Sequence, residues 1–489
     1  MNIKKSSIKE YEPLPPLHEQ YALKFMEKHR VVKLGISSDG LSIVGICPPF
    51  EQNLIDEIQD FHRNKVEFVE IEAEDFTIYL GRLFSSSSEY DAIKGINQHI
   101  EIDKFADDAP IINLVNSIFI EAIQKKASDI HIEGRAEQVS IRYRIDGVLV
   151  KGMEYDASYF LPISSRIKIM ADLNIMEKRL PQDGRISVSI AGIELDMRLS
   201  IVPITGGESI VLRLFNRKDS ILSINDLGFS DNIKKHITHL YNQSHGLVLF
   251  TGPTGSGKTT SLNAIIRNLD SESNMIVTIE DPVEYRIDGI NQIQTNDEIG
   301  LSFHSILRRV LRQDPNIIMV GEIRDSETAQ LAVRAALTGH LVLASLHTND
   351  AISSVYRLIN MGVESYLLAA VLRGAVAQRL VRVLCPDCKY EKELTPAEKK
   401  IYEKYDLTPK TTFHHKGCPS CNFTGYSGRT TAAECFVTSA RLEELMVANS
   451  PNSVLAEQVR SEKFSSLMKD GLEKTISGVI DLAEIERVI

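Results

Sequence analysis

The order of apolar and polar residues divides the chain into three stretches. In the middle stretch, residues 107–225, apolar positions recur at period two. Residues 139–145 (VSIRYRI) alternate and end on Asp146-Gly147, residues 193–201 (IELDMRLSI) alternate in the same way, and 209–215 (SIVLRLF) make another strand-like run. Alternation closed by a turn dipeptide predicts strands with one face buried. Just upstream, residues 110–126 space their apolar side chains as a helix does, with Pro110 at an early position. This stretch reads as an α+β domain. From residue 227 the pattern changes. Short unbroken apolar runs at 246–251 (GLVLFT), 275–279, 317–320 and 341–344 are separated by helical patterns. That order predicts an α/β domain whose parallel sheet is covered on both faces. Residues 366–384 are the most apolar helical stretch, interrupted by Arg373, Gln378, Arg379 and Arg382, which is too polar for a membrane helix. The first hundred residues mix a helical pattern at 54–61 with a β-rich run at 66–71, and Ser85 to Ser88 with Glu89 read as an exposed linker.

Composition adds bounds. A chain of 489 residues corresponds to roughly three domains, and 43% apolar with 25% charged residues is ordinary for a globular protein. Lys+Arg 55 against Asp+Glu 66 leaves a net charge of −11, which argues against direct nucleic-acid binding. The acidic excess is concentrated in residues 1–100, read as a partner-docking domain without chemistry of its own. The N-terminus has two lysines but no apolar core, so no signal peptide is expected and the protein is placed in the cytoplasm.

The strongest chemical signal follows the run 246–251. Gly252, Pro253, Thr254, Gly255, Ser256, Gly257, Lys258 and Thr259 fit G-x-x-x-x-G-K-[ST], with Thr260 continuing into a helical pattern. Glycines let backbone N–H groups approach phosphate oxygens, a lysine sets a point charge on the β- and γ-phosphates, a hydroxyl ligates Mg²⁺, and the helix N-terminus faces the anion. ATP and Mg²⁺ are the expected ligands. Such a loop needs acids at neighbouring strand ends. Run 317–320 leads through Gly321 to Glu322, and run 275–279 leads to Glu280, Asp281 and Glu284. Either alone suits a solvated loop, but together with the phosphate loop they suit metal binding and water activation. His340 and His347 bracket the strand 341–344; two histidines there suit a γ-phosphate sensor, with a structural role as the alternative.

Cys385, Cys388, Cys418 and Cys421 form CxxC…CxxC, with 29 residues between the pairs and a helix expected at 396–405. Four thiolates close a tetrahedral Zn²⁺ shell without an open position, so the role would be structural. Redox pairs and unligated thiols are the alternatives. Cys47 and Cys435 read as small core residues.

These residues resemble one family, the secretion ATPases of type II secretion and type IV pilus assembly. GPTGSGKTT (252–260), TIEDPVE (278–284), LRQDPNIIMVGEIRD (311–325) and RAALTGHLVLASLHTNDA (334–351) are similar to its Walker A, Asp box, Walker B and His box. SDIHIE (128–133), RYRIDG (142–147), KRLPQDGR (178–185) and AQRLVRVLCPDCK (377–389) extend the resemblance. GYSGRTTAAECF departs from the family pattern at Thr431, Ala432 and Ala433, which puts the local contact of that segment in doubt.

The resemblance implies a PAS-like domain at 107–225 and a RecA-like ATPase domain at 227–489, with a zinc insertion at 385–421, a helical tail at 436–489, and ATP bound between the two domains of a homo-hexamer. It implies Glu284 as activator of water and Glu322 as the metal-side carboxylate, with the two roles exchangeable, and His340 and His347 as phosphate sensors. Arg142, Arg144 and Arg185 match its arginine fingers; ordinary salt-bridge partners are the alternative. The implied activity is ATP hydrolysis that drives pseudopilus assembly in type II secretion, with inner-membrane platform proteins as docking partners. Type IV pilus assembly or DNA uptake is the nearest alternative, and a RecA-like nucleic-acid translocase a more distant one.

Overall fold

The computed structural model describes residues 109–190, 193–205, 207–215 and 222–489, together with most of 3–79 (12–13, 16–20, 22–25, 27–28, 38, 50–51, 63–64 and 78 excepted). The serine-rich linker at 85–88 lies outside the described residues. The chain forms two compact units, Met1–Asn216 and Arg217–Ile489.

Among the described residues, the first unit contains two sheets. Strands Lys4–Lys5, Val66–Glu70, Ser42–Ile46 and Val31–Ile36 lie side by side in that order, and Leu54, Ile55 and Ile58 of the helix Gln52–Phe61 pack with Val31, Val44 and Ile46. The second sheet is antiparallel, in the order Val148–Asp156, Gln138–Ile145, Ala127–Gly134, Gly207–Phe215, Ile193–Ile204, Gln182–Ile190. Period-two patterning explains its core. Val139, Ile141 and Tyr143 are buried from one strand, and Ile210 and Leu212 from another, against Ile118 and Phe119 of the helix Ala109–Gln124 and Ile163 and Ile167 of Phe160–Met170.

The second unit is built on seven strands in the order Asn291–Gln294, Ile276–Glu280, Ile317–Val320, Leu341–Leu346, Gly246–Thr251, Leu372–Leu384, Tyr426–Val437. All neighbours are parallel except the last pair. The four short inner strands, Ile276–Glu280, Ile317–Val320, Leu341–Leu346 and Gly246–Thr251, are buried along their whole length because separate hydrophobic clusters pack on the two faces of the sheet.

One sequence expectation is corrected. Residues 366–384 are not one helix: Ser365–Val371 is helical, and Leu372–Leu384 is a strand of 13 residues. A run apolar enough to be buried on both sides does not distinguish the two periods. The tertiary setting does, since this strand lies between Gly246–Thr251 and Tyr426–Val437 and both take its backbone hydrogen bonds. It also outruns its parallel neighbour. Thr251 pairs with Ala377, and residues 378–384 continue beside the loop that follows Thr251, paired with Tyr426–Val437 and, at Val383, with Ile480.

The C-terminal helices are tied to this long hairpin, and to the insertion between its strands, by buried carboxylates. Asp470, Asp481 and Glu484 are each 1% exposed. Asp470 binds Lys474 and the Ala433 N–H, and Asp481 binds His415 at 2.6 Å. Glu434, in the divergent segment, makes a defined contact: it accepts the N–H groups of Ala351 at 2.7 Å and Leu467 at 3.1 Å. Glu484 accepts from Arg382 and Arg487. Burial works against its charge, but the two guanidinium groups outweigh it and hold its pKa down at about 2.

A carboxyl depressed in the folded state adds stability above its unfolded pKa of about 4.3 and loses it as pH falls toward about 2, amounting to about 3 kcal/mol. Glu484→Gln should therefore destabilise the chain at neutral pH by about that much. Urea unfolding at a series of pH values should show the mutant and parent converging between about pH 4 and pH 2. A constant gap down to pH 2 would reject this account.

Candidate nucleotide and metal sites

The phosphate loop hangs between the buried strand Gly246–Thr251 and the helix Lys258–Asn268. Gly257 stands at the helix start with φ +89°, a left-handed backbone that favours glycine. At Gly252 a Cβ would lie 2.6 Å from the main-chain oxygen of Gln378, so only glycine lets the loop approach the long strand. Pro253, Thr254, Gly255 and Thr259 are exposed, whereas Ser256 and Lys258 are buried. Lys258 Nζ donates to the carbonyls of Gly252 at 2.7 Å and Pro253 at 3.1 Å. Burial pushes its pKa down to about 8, Arg379 adds to the fall, and Glu322 opposes it. The ammonium is thus held inside the loop, short of solvent, beside a carboxylate.

That carboxylate sits where the strand Ile317–Val320 ends. Gly321 lets it turn: a Cβ there would come 2.9 Å from the carbonyl of Ile279. Glu322 then meets His347 Nε2 at 3.0 Å and Arg324 Nε at 2.8 Å, and Arg324 reaches Asp281 at 2.9 Å. The arm after His347 is tied back to the loop's own strand, because Thr348 N–H donates to Thr251 Oγ1 at 2.9 Å and the two hydroxyls lie 2.6 Å apart. Lys258, Glu322 and His347 are therefore gathered at the C-terminal ends of adjacent parallel strands, where an open α/β sheet binds ligands.

His340 is not part of this group, contrary to the expectation from sequence. It precedes the strand Leu341–Leu346; its Nδ1 lies 2.8 Å from the carbonyl of Ala335, and its carbonyl accepts the Gly246 N–H at 3.0 Å. Gly246 begins the strand that Thr251 ends, so His340 is a strand length, about 17 Å, from the phosphate loop. It lines a cavity of about 550 Å³ at the opposite edge of the sheet, with Asn242, Asp270, Asn316 and Thr338. A histidine on each side of a short strand is at opposite ends of it by construction.

Glu284 lies on the exposed turn beyond the strand Ile276–Glu280. The acid that the structure buries there is Glu280, one of the three acids at that strand end but not the one that the resemblance makes the activator of water. It is 3% exposed, accepts from Thr278 Oγ1 at 2.6 Å and Gln292 Nε2 at 3.0 Å, and its Oε2 has no partner. Gln378 and Arg379 were also missed as site residues; both are buried beside the loop, and nothing in a single sequence marks them except an amide and a cation inside an apolar run.

The three arginines lie in the first unit. Arg142 is ion-paired with Glu133. Arg144 is 3.6 Å from Asp129, which also binds Arg213, and donates to the Gly147 carbonyl. Arg185 is exposed on the strand Gln182–Ile190.

The four cysteines converge. Their sulfurs all lie within 4.8 Å of one another, with Cys385–Cys418 at 3.8 Å, Cys388–Cys421 at 3.9 Å and Cys418–Cys421 at 3.7 Å. A tetrahedron with Zn–S of about 2.3 Å has an S–S edge of about 3.8 Å, so the donor set fits the ion. Backbone N–H groups of Gly417, Cys418 and Gly425 point at the sulfurs of Cys388 and Cys421, as thiolate ligands require. The expected helix between the pairs is Pro396–Glu403, started by a Thr395–Glu398 capping box. Its Tyr402 is fully buried and bonds Thr475 of the helix Leu467–Ile476. Cys47 and Cys435 are buried and apart from this cluster.

A parallel sheet carrying a glycine-rich loop, a buried lysine and an acid at the end of the strand next but one defines a P-loop ATPase. The family model described as "Type II/IV secretion system protein" matches residues 104–487, and the chain belongs to that family. The Type II secretion system ATPase E of Vibrio cholerae is 44% identical over 391 residues, 80% of this chain and 78% of that one. The type II secretion system protein HxcR of Pseudomonas aeruginosa is 43% identical over 423 residues, 84% and 87% of the two chains. Among solved structures, the pilus retraction motor PilT with bound ADP superposes with a TM-score of 0.53 at 25% identity, covering 76% of this chain and 96% of that one. The Legionella pneumophila ATPase DotB, at 21% identity and a TM-score of 0.57 over 76% of this chain and 94% of that one, shares the fold.

Proposed function

We propose that the chain hydrolyses ATP to drive pseudopilus assembly in type II protein secretion, as a homo-hexamer in the cytoplasm held at the inner membrane through platform proteins. The observation that carries this reading is identity of 43–46% to type II secretion relatives over about four-fifths of the chain, with Lys258, Glu322 and His347 gathered at one end of the sheet. Lys258 and the N–H groups of 252–259 would bind the β- and γ-phosphates, and Thr259 with Glu322 would hold Mg²⁺. His347, hydrogen-bonded to Glu322, would report the γ-phosphate to the arm that follows it. Glu284 keeps its candidacy as the base that activates water. Arg142, Arg144 and Arg185 would act as fingers only if the first two exchange their present carboxylates for phosphate. Zn²⁺ on the four cysteines would hold the insertion, and residues 1–100 would choose the partner.

Membranes from a bacterium carrying this chain, solubilised in detergent and captured through the full-length protein, should yield type II secretion platform proteins. Capture of pilus assembly proteins in their place favours the pilus reading and overturns the secretion assignment.

A further inference from the structure

Gln378 lies where the long strand Leu372–Leu384 passes the end of its parallel neighbour, so that Gly252 and Gln378 follow the last paired residues on the two sides. Its side chain is fully buried. Nε2 donates to the main-chain carbonyl of Ser256 at 2.8 Å and stands 3.1 Å from where a Cβ on Gly257 would be, and the main-chain oxygen of Gln378 stands 2.6 Å from the same point on Gly252. One residue therefore backs both the start and the end of the phosphate loop. A carbonyl only accepts, so the NH₂ half of the carboxamide faces Ser256. That leaves Oε1 turned elsewhere, buried and without a partner, and the Ser256 hydroxyl is in the same condition.

Unmet buried polar groups destabilise a fold. A methionine of similar shape would fill the position and remove the unmet Oε1, exchanging it for the Ser256 carbonyl that the amide now binds, so the count of unmet groups does not ask for glutamine here. The hydrogen bond has a geometric consequence at the loop instead. The Ser256 carbonyl and the Gly257 N–H belong to one planar trans peptide and point in opposite directions. With the carbonyl bound to Gln378 behind the loop, the Gly257 N–H is turned to the other side, at the start of the helix Lys258–Asn268. The anchor is itself held, since the buried Arg379 donates to the Gln378 carbonyl at 3.0 Å and to the Asn349 carbonyl, on the arm after His347, at 2.7 Å.

We infer that Gln378 is a positioning residue for the nucleotide phosphates: by anchoring the Ser256 carbonyl behind the loop it presents the Gly257 N–H to the phosphate. This rests on the reading of 252–259 as a nucleotide phosphate loop. The test is calorimetric titration of Mg·ADP into the full-length protein, with thermal unfolding of the same samples free of nucleotide. Gln378→Met should bind about tenfold more weakly, which is about 1.4 kcal/mol, while its nucleotide-free melting temperature changes little, since the unmet Oε1 is exchanged for an unmet Ser256 carbonyl. Gln378→Asn keeps the amide but withdraws it by one methylene, and should weaken binding to a similar degree. Parental affinity in both variants, beside a Lys258→Ala protein that has lost binding, overturns the positioning role alone. Parental affinity in Lys258→Ala as well overturns the phosphate-loop reading and the inference with it. A fall in melting temperature with unchanged affinity makes Gln378 an ordinary core residue.

Discussion

Lys258→Ala should lower ATP hydrolysis by the full-length chain at least about a hundredfold, because a charge placed on the transferring phosphates is worth roughly 3 kcal/mol or more in a preorganised site. The fold should survive the change. Lys258 contributes two hydrogen bonds to loop carbonyls, and its burial already works against the charged form. Phosphate release by the purified variant, with its melting temperature, reads both effects; a variant that keeps the parental rate removes Lys258 from the chemistry. The depressed pKa adds a pH signature. Folding favours the neutral amine above about pH 8, whereas phosphate favours the ammonium. Below about pH 8 the lysine is charged in both free and bound protein, and affinity does not depend on its titration. Above it, binding must take up a proton, so Mg·ADP affinity should fall as pH rises. Lys258→Ala should lack that dependence.

Metal analysis of the reduced protein should give about one Zn²⁺ per chain, and Cys385→Ser or Cys418→Ser should abolish it, since a three-thiolate remnant loses a ligand from a closed shell. The structural effect should be large but local. The insertion is clamped to the C-terminal helices by Tyr402 on Thr475, Lys389 on the Gly478 carbonyl and His415 on Asp481. Losing the ion should loosen both partners of those contacts, seen as new proteolytic cleavage between residues 385 and 421 and a lower melting temperature. Mg·ADP binding should persist, because Gly252–Thr259 are held by the sheet. Metal-free protein from a reducing purification, with an unchanged melting curve after cysteine substitution, would end the zinc assignment.

Legibility differed by residue. The phosphate loop was readable because its chemistry is contiguous: glycine φ, lysine reach and helix start are all specified within eight positions. The cysteine pairs were readable because spacing within each CxxC sets the bite, although only folding brings residues 388 and 418 together across the insertion. The long strand Leu372–Leu384 was misread because burial on both faces hides the period. His340 was misread because a sequence shows that two residues flank a strand, not which end faces the ligand.

Local chemistry, then, was determined by the sequence alone: strand periods, turn dipeptides, helix starts, the phosphate loop and the thiolate pairs all depend on neighbours a few residues apart. The tertiary structure decided what depends on register between distant segments. It set Glu322 against His347, put Glu280 rather than Glu284 in the interior, engaged Arg142 and Arg144 with carboxylates, and laid Gln378 behind the loop. The physical reason is that hydrogen bonds and burial act through space at a few ångströms, and only the fold converts a separation of 122 residues, from Ser256 to Gln378, into 2.8 Å.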